Sequence, residues 1–323
     1  MSTVDKDVDP DITILLAACG GCGINLAGRF SNIKENLIIK ELDTSRGNSK
    51  FNDKLIIVGD GHGSGSNRAM HARDIESAIP QIDHLFAEKP DVVIVPFSLS
   101  GGSGNVIATY LIKEAARQKI IPIAIAIVDT SSSIEAKNTY NALKTLSAVA
   151  KQAEIGLPML IASNDLGTRA TVDDAIINNV GAIVKILRRN VTEVDKRDRL
   201  NWIDPHKLVG TAPGLKIMSF TSDNSLGDSS VLIGAESKEM NDSVLVVQRQ
   251  EDFAKDHVLP LTRLKKIGVL QSDGSRLVGR VSSDISQINL IIDNAEQMAN
   301  TTKAQKHETI DRLGGDTNGD IFF

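Results

Sequence analysis

The chain has 323 residues and a formal net charge of −5, with aromatic residues making up only 3%. That length holds one large domain or two medium ones, and the acidic balance argues against nucleic-acid binding through the surface as a whole. No apolar run reaches membrane-spanning length, which argues against a membrane role, and the scarcity of aromatics means an aliphatic core. Residues 1–11 are acidic and polar, the reverse of a signal peptide, so a cytoplasmic protein is expected.

Ile12 to Ala18 reads as a first strand, and Cys19-Gly-Gly-Cys-Gly-Ile-Asn25 then turns into a short helix from Leu26 to Phe30. Leu37 to Leu42 reads as a strand ending in Asp43-Thr44, and Leu55 to Val58 as another. The latter enters a second glycine-rich loop, Gly59-Asp-Gly-His-Gly-Ser-Gly-Ser-Asn67, ahead of a helix from Arg68 to Glu88 that Pro80 should kink or split. Asp91 to Phe97 is a continuous apolar run, as expected of a strand covered on both faces. It leads into a third small-residue loop, Ser98-Leu-Ser-Gly-Gly-Ser-Gly104, and a helix from Asn105 to about Lys119. Ile121 to Val128 is a second buried strand. Asp129-Thr-Ser-Ser-Ser133 can cap the next helix, Ile134 to Glu154. Leu157 to Ala162 is a strand ending in Ser163-Asn164-Asp165. Val172 to Arg189 has helical apolar spacing through Ile176, Val180, Ile183 and Leu187.

Strands alternating with helices in this way predict an α/β fold with a doubly wound parallel sheet, whose ligands bind beyond the carboxyl ends of the strands. All three glycine-rich loops fall at that edge. Nearly bare of side chains, they offer backbone N–H donors and helix N-termini, which together make anion sites; Ser100 and Ser103 add hydroxyls. The loops lack the third glycine of the dinucleotide fingerprint and the Gly-Lys-Ser/Thr of a Walker loop, so any phosphate is held by amides rather than by a P-loop lysine.

The second half changes character. Strands are expected at Leu215 to Thr221, Ser243 to Gln248, Lys266 to Leu270 and Leu277 to Val281, with a helix near Glu251 to Leu259 and a flexible loop from Asp223 to Ser230. Together they suggest a smaller mixed α+β sheet. A final helix from Ser283 to about His307 precedes a glycine-rich, acidic tail, residues 308–323, ending in two phenylalanines. Such a tail is a docking peptide or a plain solvated terminus.

Cys19 and Cys22, the only cysteines, form Cys-x-x-Cys, which is also a redox motif. That reading leaves the second and third glycine-rich loops unexplained. A zinc site is not expected, since there is no second cysteine pair. A serine-hydrolase reading of Ser103 lacks the outer glycine of Gly-x-Ser-x-Gly, because Asn105 stands there.

Taken in order, strand–GlyGlyCysGly–helix, strand–AspThr, strand–GlyAspGlyHisGlySerGly–helix, strand–SerGlyGlySerGly–helix, strand–AspThrSerSer–helix and strand–AsnAsp–long helix resemble the tubulin/FtsZ superfamily of filament-forming GTPases. The resemblance covers residues 12–211 well, and the compact length and acidic tail look most like the bacteriophage-encoded tubulins (PhuZ class). Ser100, where the signature loop usually has glycine, and Asn105, where it usually has a small residue, are departures.

The resemblance implies a layout. After a polar extension (residues 1–11) come a nucleotide-binding domain (12–170), a connecting helix (171–190) and an activation-type domain (191–282). A C-terminal helix (283–307) and the acidic tail (308–323) follow. It implies GTP and GDP as ligands, with Mg²⁺ held mostly through phosphates and waters, and a protein-borne metal site is not expected. Phosphate contacts are implied for Gly20, Gly21, Cys22, Asn25, Gly63, Ser64, Gly65, Ser100, Gly101, Gly102, Ser103 and Gly104. Asp43 would stand near a Mg²⁺-bound water, Glu135 near the ribose, and Asn164 with Asn178 or Asn179 at the guanine. Asp174 and Ala175 stand where relatives often stack an aromatic ring on the base.

The hydrolytic acid is implied to come from the neighbouring subunit: Asp204, with Asn201 at the position of a second acid. Asp204 also suits the N-cap of a helix beginning at Pro205. The partner is then the chain itself in a head-to-tail homopolymer, with the tail docking on basic residues such as Lys113, Arg117 and Lys119 or Arg188 and Arg189. No membrane or direct nucleic-acid partner is expected. The role implied is positioning of the phage nucleus or DNA in an infected bacterium. The alternatives are a plasmid-segregation or division-type homologue, or a nucleotide sensor that does not polymerise.

Overall fold

A computed structural model describes residues 12–30, 37–50, 54–63, 72–164, 167–188, 196–204, 212–222, 232–234, 242–243, 245–247, 266–270, 276–282 and 285–314. The elements expected in the first half form in order. They are β1 (Ile14–Cys19), α1 (Gly20–Arg29), β2 (Ile38–Asp43), β3 (Leu55–Ile57), α2 (Ala72–Leu85), β4 (Val92–Ser98), α3 (Ser103–Arg117), β5 (Ile121–Val128), α4 (Ser133–Gln152), β6 (Gly156–Ser163) and α5 (Arg169–Arg188). There follow α6 (Lys196–Ile203), β7 (Gly214–Ser222), β8 (Leu232–Gly234), β9 (Asp242–Ser243), β10 (Leu245–Val247), β11 (Lys266–Leu270), β12 (Arg276–Ser282) and α7 (Ser286–Gly314).

The sheet runs β3-β2-β1-β4-β5-β6-β7 with every neighbouring pair parallel. Alternate residues of its strands feed two cores, as period-two geometry demands. Ile14, Leu16, Ile94, Ile123 and Ile125 face α1, α5 and Trp202 of α6. Leu15, Ala17, Val93, Val95 and Phe97 face α2, α3 and α4. This is why the central strands read as unbroken apolar runs.

Several expectations need correction. The first glycine-rich stretch is not a loop ahead of a short helix: α1 begins at Gly20, so Gly20, Gly21 and Cys22 are themselves its first turn. α3 likewise begins at Ser103. α2 continues through Pro80 without splitting. Most strands of the second half do not make a separate sheet. β7 pairs with β6 in parallel, and β12 and β11 extend the same sheet antiparallel. The strand expected at 243–248 is divided: β9 pairs with β12, while β10 pairs with β8 in a two-stranded ribbon. α7 runs to Gly314, so the first residues assigned to the tail are helical. α7 lies along α4, burying Ile288 and Ala295. The helix expected at 251–259, and residues 315–323 of the tail, lie outside the described residues.

Candidate functional site

The carboxyl ends of β1 and β4 lead directly into α1 and α3, so both helices present their N-termini at one edge of the sheet. A helix leaves its first four N–H groups without intrahelical acceptors, and its dipole is positive there. Neither helix compensates. Neither has an acidic residue in its first turn, and at neither does a side chain bond across the cap. The two N-termini touch. Gly20 has φ +68°, and a Cβ built on it would stand 2.8 Å from the Gly104 Cα. One built on Gly104 would stand 2.8 Å from the Cys19 carbonyl oxygen. Any other residue at either position would fill the cradle and force the two loops apart. Gly23 is required for another reason: its Cβ would sit 2.1 Å from the Pro96 carbonyl oxygen, so it sets how closely α1 approaches β4.

Side chains brace the cradle. The Asn105 amide donates to the carbonyls of Leu99 (2.9 Å) and Gly101, and Asn138 of α4 donates to the carbonyl of Ser100 (3.0 Å). Ser98 and Ser100 hydroxyls bond each other at 2.8 Å. Asn105, in sequence a departure from the family's small residue, thus holds the third loop's shape. Asn138 escaped sequence reasoning, although a polar residue on the buried face of α4 was a usable signal.

Asp43 is a hub. Buried at the end of β2, its carboxylate accepts from the Thr44 N–H (2.7 Å), the Asn48 amide (2.7 Å) and, at 3.3 Å, the Ser103 hydroxyl. A contact with a Mg²⁺-bound water would share the carboxylate with these bonds or exchange one of them. Two residues earlier, the fully buried Glu41 accepts from the Ser49 hydroxyl (2.6 Å) and the Lys50 N–H (3.1 Å), pinning the other end of the 44–50 loop. The second glycine-rich loop is zipped to it: Gly63 N–H donates to the Thr44 carbonyl at 2.8 Å, and Ser45 bridges His62. Ser64 and Gly65 lie outside the described residues.

Farther along the edge, Asn25 is half-buried on α1, and Asn164 directly follows β6 with its Oδ1 buried and without a hydrogen-bond partner among the described residues. Asn178 is exposed and Asn179 half-buried on α5. Arg29 of α1 pairs with Asp173 (3.0 Å) and Asp174 (2.5 Å), closing that end by tying α1 to α5. Asp174 thus has a structural partner. Glu135 helps cap α4 locally: the Ser132 hydroxyl accepts from the Glu135 N–H, and the carboxylate accepts from the hydroxyls of Ser131 (3.0 Å) and Ser132 (2.6 Å).

The surroundings of both cysteines disfavour the thiolate. Both are free thiols, Cys19 fully buried. Burial, with the Asp43 charge adding to it, raises the Cys19 thiol well above its ordinary value. Burial pushes Cys22 up to about 12, with Arg169 opposing and Asp173 adding to the shift. Redox cysteines need the opposite perturbation. Among the described residues, no three His, Cys, Asp or Glu side chains converge as a metal site, and no helix is long and apolar enough to cross a membrane.

The structure does not bring Asp204 to this edge. It follows α6, its N–H completing that helix on the Leu200 carbonyl, and its Oδ1 accepts the N–H of Gly156 at 3.3 Å. Gly156 begins β6, so Asp204 stands at the amino end of the sheet. An eight-residue strand puts that about 25 Å from the glycine cradle. Asn201 is half-buried one turn earlier on α6. The buried Lys216 of β7 lies close enough to feel the Asp204 charge, which opposes the lowering of its pKa by burial.

No family model matches the chain. Its sequence is similar to a phage tubulin-like protein of Pseudomonas phage phiKZ, 27% identical over 209 residues, covering 58% of this chain and 62% of that protein. A phage tubulin-like protein of Pseudomonas phage 201phi2-1 is 23% identical over 194 residues. The chain thus spans about three fifths of the length of the curated relatives it matches, 62% and 61%. Its fold is similar to a protofilament of TubZ from bacteriophage PhiKZ, with TM-score 0.71 at 21% identity over 91% of this chain and 92% of that one. In sequence the chain is thus similar to phage tubulin-like proteins, and its fold is that of the solved tubulin-like structures.

Proposed function

We propose that the chain binds GTP at the cradle between α1 and α3 and hydrolyses it on assembly into head-to-tail filaments. The observation that carries this reading is the meeting of two uncapped helix N-termini at Gly20 and Gly104, with Asp204 about one strand length away at the opposite edge. Amides of α1 and α3, with the Ser103 hydroxyl, hold the phosphates. Asn164 and the α5 asparagines face the base, and Glu135 the ribose. Mg²⁺, where bound, would be held mainly by the nucleotide and water, with Asp43 the nearest carboxylate to a bound water.

A cradle on one edge and a carboxylate on the other make half of a site twice. Stacking two chains along the strand direction puts the Asp204 of one over the cradle of the next. There the carboxylate accepts a hydrogen bond from water and orients it, a contribution typically of 10² to 10⁴-fold. The solved relatives include a phage tubulin with GDP and a TubZ protofilament, which supports nucleotide binding and self-assembly as the reading for this chain. The cellular role that fits is positioning of phage DNA or the phage nucleus in an infected bacterium, with the 308–323 segment gripping the next subunit. Of the basic residues considered for that grip, Arg117 already pairs with Glu114 within α3.

Sedimentation and light scattering with GTP, GDP and no nucleotide, with phosphate release followed in parallel, test the proposal. GTP-dependent polymer and concentration-dependent phosphate release are expected. GTP binding without polymer would leave a monomeric nucleotide sensor, and absence of guanine-nucleotide binding would overturn the reading altogether.

A further inference from the structure

Phosphate groups bring concentrated negative charge, yet among the described residues the turns that meet at Gly20 and Gly104 carry no Lys or Arg of their own. Among the described residues of the loops 19–25, 43–50, 58–63 and 98–104, the Lys and Arg side chains are Arg46 and Lys50, while Arg169, which opens α5 after β6, lies close enough to act on Cys22 from the other side. Lys50 packs its stem toward Gly28 on the flank of α1. Arg46 leans the other way, over the second glycine-rich loop. A Cβ built on Gly61, which has φ +88°, would stand 3.2 Å from the Arg46 Nε and 3.6 Å from its Cγ. The glycine there leaves room for the guanidinium stem to lie across the loop backbone.

Arg46 is exposed, and its guanidinium has no hydrogen bond or carboxylate partner among the described residues. Its backbone is not free to wander. Glu41 holds Ser49 and Lys50, Asp43 holds Thr44 and Asn48, and the Thr44–Gly63 bond locks the 44–50 loop to the second glycine-rich loop. A guanidinium without a partner among the described residues, on a backbone tied at both ends, is available to a ligand.

The strand order says which part of the ligand. From β6, where Asn164 stands, to β2 is four steps through β5, β4 and β1, about 19 Å at sheet spacing. On the proposed reading, the base lies at β6 and α5, and the inner phosphates lie between α1 and α3 at β1 and β4. The ligand's far end then reaches β2 and β3, where Arg46 sits. We infer that Arg46 is a specificity-determining residue that binds the terminal phosphate of a nucleoside triphosphate, and thereby separates GTP from GDP. A fork of guanidinium donors suits phosphate oxygens. This inference rests on the function proposed above.

The test is equilibrium binding of fluorescent GDP and of a non-hydrolysable fluorescent GTP analogue, at protein concentrations below assembly, to the wild-type chain, Arg46→Ala, Arg46→Gln and Lys50→Ala. Loss of one charge-assisted phosphate contact corresponds to about tenfold weaker triphosphate binding. The expected result is that loss for both Arg46 variants, with GDP affinity held within about twofold, unchanged melting without nucleotide, and no selective change for Lys50→Ala. Equal weakening of both nucleotides, or of neither, in variants that melt normally overturns the role of Arg46 while leaving the site intact. A wild-type chain that binds neither nucleotide overturns the proposed function itself.

Discussion

The two ends of the same parallel strands are finished in opposite ways. At the carboxyl edge, α1 and α3 begin without capping side chains, and glycines cross where side chains would otherwise interlock. At the amino edge, side chains close the backbone. Asp91 takes the Thr13 N–H (2.9 Å), the Thr13 hydroxyl (3.1 Å) and the Lys196 ammonium (2.9 Å), while Asp204 takes the Gly156 N–H. α4 supplies an internal control at the carboxyl edge itself, because Ser132 and Glu135 satisfy its N-terminus locally. Donors are left uncapped at two helices and satisfied at the third, and on the proposed reading the phosphates bind where they are left uncapped. The closed edge serves stability, and on the proposed reading it also carries the Asp204 carboxylate toward a neighbour.

The comparison can be broken at several points. Gly104→Ala should have the largest effect: with its Cβ driven against the Cys19 carbonyl, it should weaken GTP binding by about 10³-fold or more by removing several charge-assisted bonds at once. Retained affinity in a calorimetric titration would mean the phosphates lie elsewhere. Asp204→Asn comes next. The amide oxygen can still accept from Gly156, so folding and GTP binding should hold, while phosphate release falls by about 10² to 10⁴-fold and polymers outlast those of the wild type. Normal turnover in that variant would return Asp204 to a purely structural role.

Smaller effects separate stability from binding. Ser132→Ala should cost about 1 kcal/mol in chemical denaturation and leave the phosphate contacts untouched, since α4 caps itself. Asp91→Asn should cost about 1 kcal/mol at neutral pH, the pair being partly exposed. Burial alone would raise the Asp91 pKa, but bonds from Lys196 and Thr13 outweigh it, so the folded value lies below the ordinary one. The contribution of the ionised group is therefore present above the ordinary carboxylate range and is lost as pH falls through the lowered folded value. Denaturation curves of wild type and Asp91→Asn should converge in strong acid; a gap that widens there would contradict the sign.

Much of this was legible from local pattern. The apolar runs at 92–98 and 121–128 could only be doubly covered strands, and bare loops after such strands mark amides and helix N-termini. The order of those loops carried the family resemblance. Other features were not legible, for a common reason. The glycine-rich stretch at 19–25 contains poor helix formers, so propensity reads a loop, whereas packing of Ile24, Leu26 and Ala27 against the sheet starts the helix at Gly20. Pro80 reads as a break, yet α2 runs through it with Ile75, Ala78 and Ile82 buried on the sheet.

By itself the sequence determined the alternation of strands and helices, the small-residue loops at their junctions and the absence of a Walker lysine, because each depends on residues within a few positions of one another. Tertiary structure alone decided that Gly20 meets Gly104, that Ser103 reaches Asp43, that Arg46 lies over Gly61 and that β7 continues the first sheet. It also decided that Asp204 stands a strand length from the cradle it is proposed to serve. These contacts join segments that strand order and helix packing bring together, and no local period encodes strand order.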